Sequence, residues 1–219
     1  DMARLQQGVA AVLEKGLFRA AEVLGQDLAV IGIEQILRGY AALHQVDELI
    51  VVAVPASADR ENEYGTGSIM NNFGQGLGLE TVVDDAGNVL IRKPASAGFE
   101  NREGVILQAH MDMVAQKDSD KDFDFQTDPI QAYIEDGWVK ANGTTLGADD
   151  GIGVAIIMAL LEDKKLVHGP LEALFTVNEE DGFSGIKGLN SDLLMGDIYI
   201  NVDSETEGEF TIGTLPSTG

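Results

Sequence analysis

The segment Val105-Ile-Leu-Gln-Ala-His110-Met-Asp112 decides the fold, because a short apolar run leads directly into polar side chains that carry chemistry. A run of this kind is typical of a buried central strand. Similar runs occur at Leu171–Val177 and Ile198–Val202, and acids follow each of them. Residues 151–161 have apolar side chains at helical spacing. This alternation predicts an α/β fold, with a mixed, mostly parallel sheet and helices on both faces.

Two hairpins are predicted by strand-like runs on either side of short turns. One joins residues 80–83 to 88–93 across Asp84-Asp85-Ala86-Gly87, and the other joins residues 130–134 to 138–141. Residues 55–78 are rich in Gly, Asn and Ser, and we predict a loop with a possible irregular helix there.

The ends of the chain give weaker patterns. Residues 1–45 have helical apolar spacing, residues 49–54 are a strand candidate, and residues 210–212 are another. We therefore divide the chain into a helical region, residues 1–60, and an α/β domain, residues 61–219.

Composition excludes several classes of function. The net charge of −23 over 219 residues disfavours nucleic acid and anionic membranes as partners. No apolar run reaches the roughly 18 residues of a membrane span. Cysteine is absent, so a metal would have to be held by His, Asp and Glu, and a reducing cytoplasm is compatible with the sequence.

The first chemical motif pairs His110 with Asp112. Residues two apart in a strand point the same way, so the carboxylate of Asp112 could orient an imidazole that binds metal. Taken alone, a core histidine beside an acid is the simpler interpretation. The second motif is Asp149-Asp150 between glycines. These acids could cap the next helix or bridge two cations.

The third motif, Glu179-Glu180-Asp181, could be a solvated turn, or one Glu could bind metal while its neighbour accepts a proton from water. Asp203 ends the last apolar run and could be a further ligand or part of an acidic loop. A histidine and several carboxylates at successive strand ends suit a pair of divalent cations that share a water. A calcium site is disfavoured by His110, since calcium prefers oxygen.

These motifs together resemble the aminoacylhistidine (Xaa-His) dipeptidases, within the two-zinc exopeptidases that include carboxypeptidase G and the aminoacylases. The resemblance extends over residues 78–213, and the motifs occur in the same order. It implies hydrolysis of short peptides by a water that two divalent metals activate, most readily Zn, with Mn or Co as alternatives. It also implies a homodimer for full-length members and a cytoplasmic location.

The resemblance also implies a role for each site residue. His110 and Asp203 bind one metal, Glu180 binds the second, and Asp149 bridges both. Asp112 orients His110, and Glu179 is the general base. Asp150 matches a variable position and is expected to be a neighbour of the site.

The sequence departs from the family pattern at its end. The family has a further His ligand near its C-terminus and an inserted lid domain, and neither His44 nor His168 matches that ligand. The resemblance therefore implies a divergent helical region, residues 1–60, and a partial metallopeptidase catalytic domain, residues 61–219. We expect a truncated chain with slow or no turnover. Residues 215–219 fit the Leu-Pro-x-Thr-Gly sortase pattern, which we interpret as chance or a tag. The competing hypothesis is a non-catalytic fragment or binding module that keeps the fold and binds metal.

Overall fold

The computed structural model describes residues 66–135 and 138–203. The predicted helices of residues 1–45 and the strand candidates at 49–54 and 210–212 lie outside these residues. The described elements are α1 (Thr66–Gly76), β1 (Glu80–Val83), β2 (Val89–Lys93), β3 (Val105–His110), β4 (Ala132–Glu135), β5 (Trp138–Ala141), α2 (Ala148–Glu162), β6 (Leu171–Thr176), α3 (Ser184–Lys187), a 3-10 turn (Ser191–Leu193) and β7 (Ile198–Asn201).

Five strands form one sheet in the order β1-β2-β6-β3-β7. β3 runs parallel to both β6 and β7, while β2 is antiparallel to β1 and β6. The predicted α/β class with a mixed sheet is confirmed. Because β3, β6 and β7 are parallel, their carboxyl ends meet at one edge, which is where ligands bind in open α/β sheets.

The main core lies between one face of the sheet and helices α1 and α2. Met70 and Phe73 of α1 are fully buried, as are Ile91 and Phe175 of the sheet. Helix α1 approaches the sheet closely, since a Cβ on Gly74 would lie 2.3 Å from Thr81 Oγ1. A smaller cluster on the opposite face is covered by leucines of the segment around the 3-10 turn. Burial on both faces explains why the central strands are nearly continuous apolar runs.

Most predicted elements coincide with observed ones. Both hairpins form, although residues 136–137 of the second turn lie outside the described part. The principal difference is α1, where the sequence favoured a loop. Its glycines and asparagines have weak helix propensity, but burial of Met70 and Phe73 stabilises the helix against β1 and β2.

Candidate metal centre

The site is built at the carboxyl edge of the three parallel strands. His110 is the last residue of β3 and pairs in register with Thr176, the last residue of β6. Glu179 and Glu180 follow β6 within a few residues, and Asp203 follows β7. Parallel register therefore brings together side chains that are far apart in sequence.

His110 is the centre of the site and is only 1% exposed. Its Nδ1 lies 2.9 Å from the backbone carbonyl of Asp112, which fixes the ring. Its Nε2 faces the acids, 3.0 Å from Asp149 Oδ1 and 3.8 Å from Asp203 Oδ2. The ring thus presents one nitrogen to the cluster while the protein backbone holds the other.

Asp112 contacts His110 differently from the sequence expectation. The expectation placed the carboxylate against the ring, but Asp112 Oδ1 is 3.6 Å from Nδ1 and the carbonyl is closer. Strand β3 ends at His110, so the alternation of an extended chain does not continue to Asp112. The carboxylate instead accepts hydrogen bonds from the backbone N–H groups of Glu179 and Glu180, at 3.0 and 3.1 Å. Asp112 therefore connects the histidine to the acidic loop.

Within residues 66–135 and 138–203, two groups of His, Asp and Glu side chains have ligand atoms within 4.8 Å of one another. One contains His110, Asp149 and Glu180, and the other contains His110, Asp150 and Asp203. Three of the residues predicted as metal ligands, Asp149, Glu180 and Asp203, thus lie beside the imidazole of the fourth, His110. Asp149 and Glu180 are exposed, so this side of the site is open to solvent.

Asp150 was predicted to be only a neighbour, yet it is a buried part of the site. It is 4% exposed, and its carboxylate accepts hydrogen bonds from the N–H groups of His110 at 3.2 Å and Gly153 at 3.1 Å. The second bond caps the regular part of α2, since the backbone of Asp149 and Asp150 is non-helical. The signal in the sequence was its position just before an apolar helix, which indicated a cap but not contact with His110.

Burial and neighbouring charges shift the pKa values of several groups in the site. Burial, followed by the charge of Asp203, raises the pKa of Asp150 to about 7. Burial and neighbouring acids also raise the pKa of Glu179 and of Glu180. Burial lowers the pKa of His110, but hydrogen bonds to Asp112 and Asp149 outweigh it and raise that pKa to about 10. The acids are therefore too close to ionise independently.

The donor set fits divalent cations. A neutral imidazole nitrogen and carboxylate oxygens are the ligands that zinc takes when no thiolate is present. Burial is the largest cause of the raised pKa values of Glu179, Glu180 and Asp150, and neighbouring acids add to it. A cation placed among the acids would favour their charged forms. We conclude that the site has the chemistry of a metal centre.

Residues 106–212 match the model of peptidase family M20/M25/M40. This match extends over slightly less than half of the chain and shows similarity to the M20 peptidases. The cytosol non-specific dipeptidase of Escherichia coli K12 is 57% identical over 136 residues, which are 62% of this chain and 28% of that protein. The peptidase T of Clostridium novyi is 28% identical over 181 residues, covering 80% of this chain and 40% of that protein. The resemblance drawn from the sequence is confirmed.

Solved structures agree with the similarity to M20 peptidases. The aminoacylhistidine dipeptidase from Vibrio alginolyticus superposes with a TM-score of 0.67 at 47% identity, over 72% of this chain and 32% of that one. A tripeptidase from Staphylococcus aureus, 24% identical with a TM-score of 0.57, supports the fold alone. The chain thus spans only about a third of the length of its M20 dipeptidase relatives. None of the helices in residues 66–135 and 138–203 is long and apolar enough to cross a membrane.

Proposed function

We propose that this chain carries part of the catalytic centre of a metal-dependent dipeptidase. The observation that carries the proposal is the convergence of His110, Asp149 and Glu180, with Asp203 beside the same imidazole. The M20 family match and the two dipeptidase relatives support peptide hydrolysis as the reaction.

The proposed ligands are His110, Asp149, Glu180 and Asp203, and zinc is the preferred ion, with manganese or cobalt as alternatives. Two divalent cations held there would lower the pKa of a shared water and polarise the scissile carbonyl. Asp112 holds the ring of His110 through its carbonyl and the acidic loop through its carboxylate. The buried carboxylate of Asp150 accepts a hydrogen bond from the backbone N–H of His110.

Glu179 is the proposed general base. Its backbone is anchored by Asp112, and burial together with nearby carboxylates raises its pKa. A raised pKa brings a carboxylate closer to the range in which it accepts and returns a proton at neutral pH. In this proposal Glu179 takes the proton of the attacking water and then gives it to the leaving amine.

We propose dipeptides with a C-terminal histidine as substrates, on the strength of the similarity to an aminoacylhistidine dipeptidase. A broader dipeptide specificity is the competing possibility, since the Escherichia coli relative is called non-specific. We further propose a cytoplasmic location, in line with the word cytosol in that name, and a division of the chain into residues 1–60 and 61–219. Homodimerisation remains part of the proposal for the whole protein.

The test is hydrolysis of Ala-His and Ala-Ala by the chain with added zinc, manganese or cobalt, together with zinc binding by calorimetry. Glu179→Gln should lower hydrolysis by about 10²–10⁴-fold, the usual contribution of a general base, and leave zinc binding intact. Glu103→Gln, on an exposed residue outside the site, should match the parent.

Two results would decide against the proposal. Failure of the parent to bind zinc would reject the metal centre. Zinc binding without hydrolysis by any of the proteins would favour the alternative, a non-catalytic module of the same fold.

A further inference from the structure

Residues 178–183 form a loop between β6 and α3, and this loop carries Glu179 and Glu180. Asn178 and Phe183, near its two ends, have positive φ angles of 54° and 60°. Residues with side chains rarely adopt this conformation unless surrounding contacts hold it. The loop therefore depends on its anchoring contacts, and these lie at its two ends and at Asp112.

The two ends of the loop are held tightly together. The N–H of Gly185 donates to the carbonyl of Val177 at 3.1 Å. A Cβ on Gly185 would lie 2.2 Å from that carbonyl oxygen and 2.7 Å from Asn88 Oδ1, so a larger residue would force the ends apart. We call Val177, Gly185 and the side chain of Asn88 the loop neck.

Asn88 reaches the loop neck from the start of β2, and it is 1% exposed. Its Nδ2 donates to the carbonyl of Gly185 at 2.9 Å, and its Oδ1 accepts from the N–H of Val177 at 3.2 Å. The second Nδ2 proton goes to Asp84 Oδ2 at 2.8 Å. With acceptors around Nδ2 and a donor at Oδ1, only one orientation of the amide satisfies every partner.

We propose that Asn88 is a positioning residue for Glu179 and Glu180, because its amide closes the loop neck while Asp112 holds the backbone of the two acids. The roles of Glu179 and Glu180 in metal binding and proton transfer rest on the proposed function. The effect of Asn88 on the loop does not depend on those roles. Partners behind metal ligands commonly change metal affinity by 10–100-fold when they are removed. A loosened neck should therefore weaken zinc binding through Glu180 and slow proton transfer through Glu179.

The experiment compares the parent chain with Asn88→Asp, which keeps the shape and the acceptor Oδ1 but removes both Nδ2 donors. A double variant, Asn88→Asp with Asp84→Asn, restores a hydrogen bond inside the hairpin and leaves the carbonyl of Gly185 without its donor. Asn190→Asp is the matched control, since Asn190 is exposed and uses only its oxygen, toward the N–H of Asp192.

Two measurements are made on each protein. Amide hydrogen exchange over residues 177–185 reports the loop directly, without metal or substrate. Competition with a chromophoric chelator reports the affinity for zinc. Asn88→Asp should speed exchange in this segment more than in β3 or α2 and lower zinc affinity about 10-fold or more.

The double variant distinguishes positioning from general stability. It should recover the thermal unfolding midpoint lost in Asn88→Asp but keep the fast exchange and the weak zinc binding. The inference is overturned if exchange over residues 177–185 stays within twofold of the parent, or if the double variant recovers both properties. If the parent binds no zinc, the proposed function fails, and the exchange data alone then decide whether Asn88 holds the loop.

Discussion

The two ends of the central sheet differ in the partners that their carboxylates contact. Near the amino end of β6, Glu172 is 4% exposed and accepts hydrogen bonds from Arg92 at 2.9 Å and from two backbone N–H groups at 2.8 Å. Near the carboxyl end, Asp149 and Asp203 both turn to the same imidazole, that of His110.

The difference lies in what neutralises the charge. Arg92 connects Glu80 and Glu172 across three neighbouring strands, so the fold itself supplies the cation. At the candidate metal centre, burial and then the neighbouring acids raise the pKa values of Glu179 and Glu180. A buried acid that has a cation partner and hydrogen-bond donors is compatible with a stable fold. A cluster of acids without a cation lowers the free energy of unfolding until a cation binds. This contrast separates structural acids from the proposed ligands.

The largest expected change in the free energy of unfolding comes from removing the guanidinium that neutralises Glu172. Arg92→Met leaves the buried carboxylate of Glu172 without its cation, so the free energy of unfolding should fall by about 3–5 kcal/mol. Urea denaturation of the metal-free protein measures this. Zinc affinity should be unchanged, and a large change in it would show that the two ends are coupled.

The exposed pair Lys140–Glu135 provides the control for that prediction. Both side chains are well exposed, at 40% and 56%, and the pair lies on the β4–β5 hairpin outside the central sheet. Lys140→Met should leave the free energy of unfolding close to that of the parent, because exposed ion pairs contribute little.

The next largest change in the free energy of unfolding is expected when zinc is added. Zinc at roughly 100 times its dissociation constant should raise the free energy of unfolding by about 2.7 kcal/mol. Asp149→Asn should abolish most of this increase, whereas Asp197→Asn, at the opposite end of the sheet, should retain it. Thermal unfolding with and without zinc tests the pair, and an equal response of both variants would contradict the ligand assignment.

The free energy of unfolding of the metal-free protein should also depend on pH, through two groups at the carboxyl end of the sheet. Burial and the charge of Asp203 raise the pKa of Asp150 from 3.8 to about 7, so its protonated form favours the folded state. That contribution is complete below pH 3.8 and is lost as the pH rises through about 7. Hydrogen bonds to Asp112 and Asp149 outweigh burial and raise the pKa of His110 from 6.5 to about 10, so its contribution is lost between these values.

The metal-free protein should therefore lose stability from pH 4 to pH 10, by at least roughly 1.4 kcal/mol, the equivalent of one pKa unit. With zinc the slope should reverse below neutral pH, because metal ligands must lose their protons to bind. Asp203→Asn should flatten the metal-free slope between pH 4 and 7. Urea denaturation across this range is the measurement, and equal slopes in the parent and the variant would contradict the assignment.

The smallest change in the free energy of unfolding is expected at Glu80, the exposed partner of Arg92. Glu80→Gln removes a carboxylate that is 61% exposed, while Arg92 keeps its contact with buried Glu172. The change in the free energy of unfolding should be about 0.5 kcal/mol. A loss as large as that of Arg92→Met would show that the ion pair of Arg92 with Glu80, rather than the pair with Glu172, contributes most to stability.

The sequence predicted the strands that carry the site and named its ligand candidates, because apolar runs and the polar residues after them are local patterns. It indicated α1 only as a possible irregular helix within a loop, because the stability of this helix comes from packing of Met70 and Phe73 on the sheet. It also missed the second role of Asp112, because the hydrogen bonds to Glu179 and Glu180 join segments 67 and 68 residues apart.

What the sequence determined by itself was the α/β class and the presence of one histidine and several acids at strand ends, since both follow from periodicity and residue type. Only the tertiary structure decided that Asp150 is buried against the backbone of His110 and that Asn88 closes the loop neck. Burial and hydrogen-bond partners at such separations depend on how the strands pair and in what register. No local pattern in the chain encodes them.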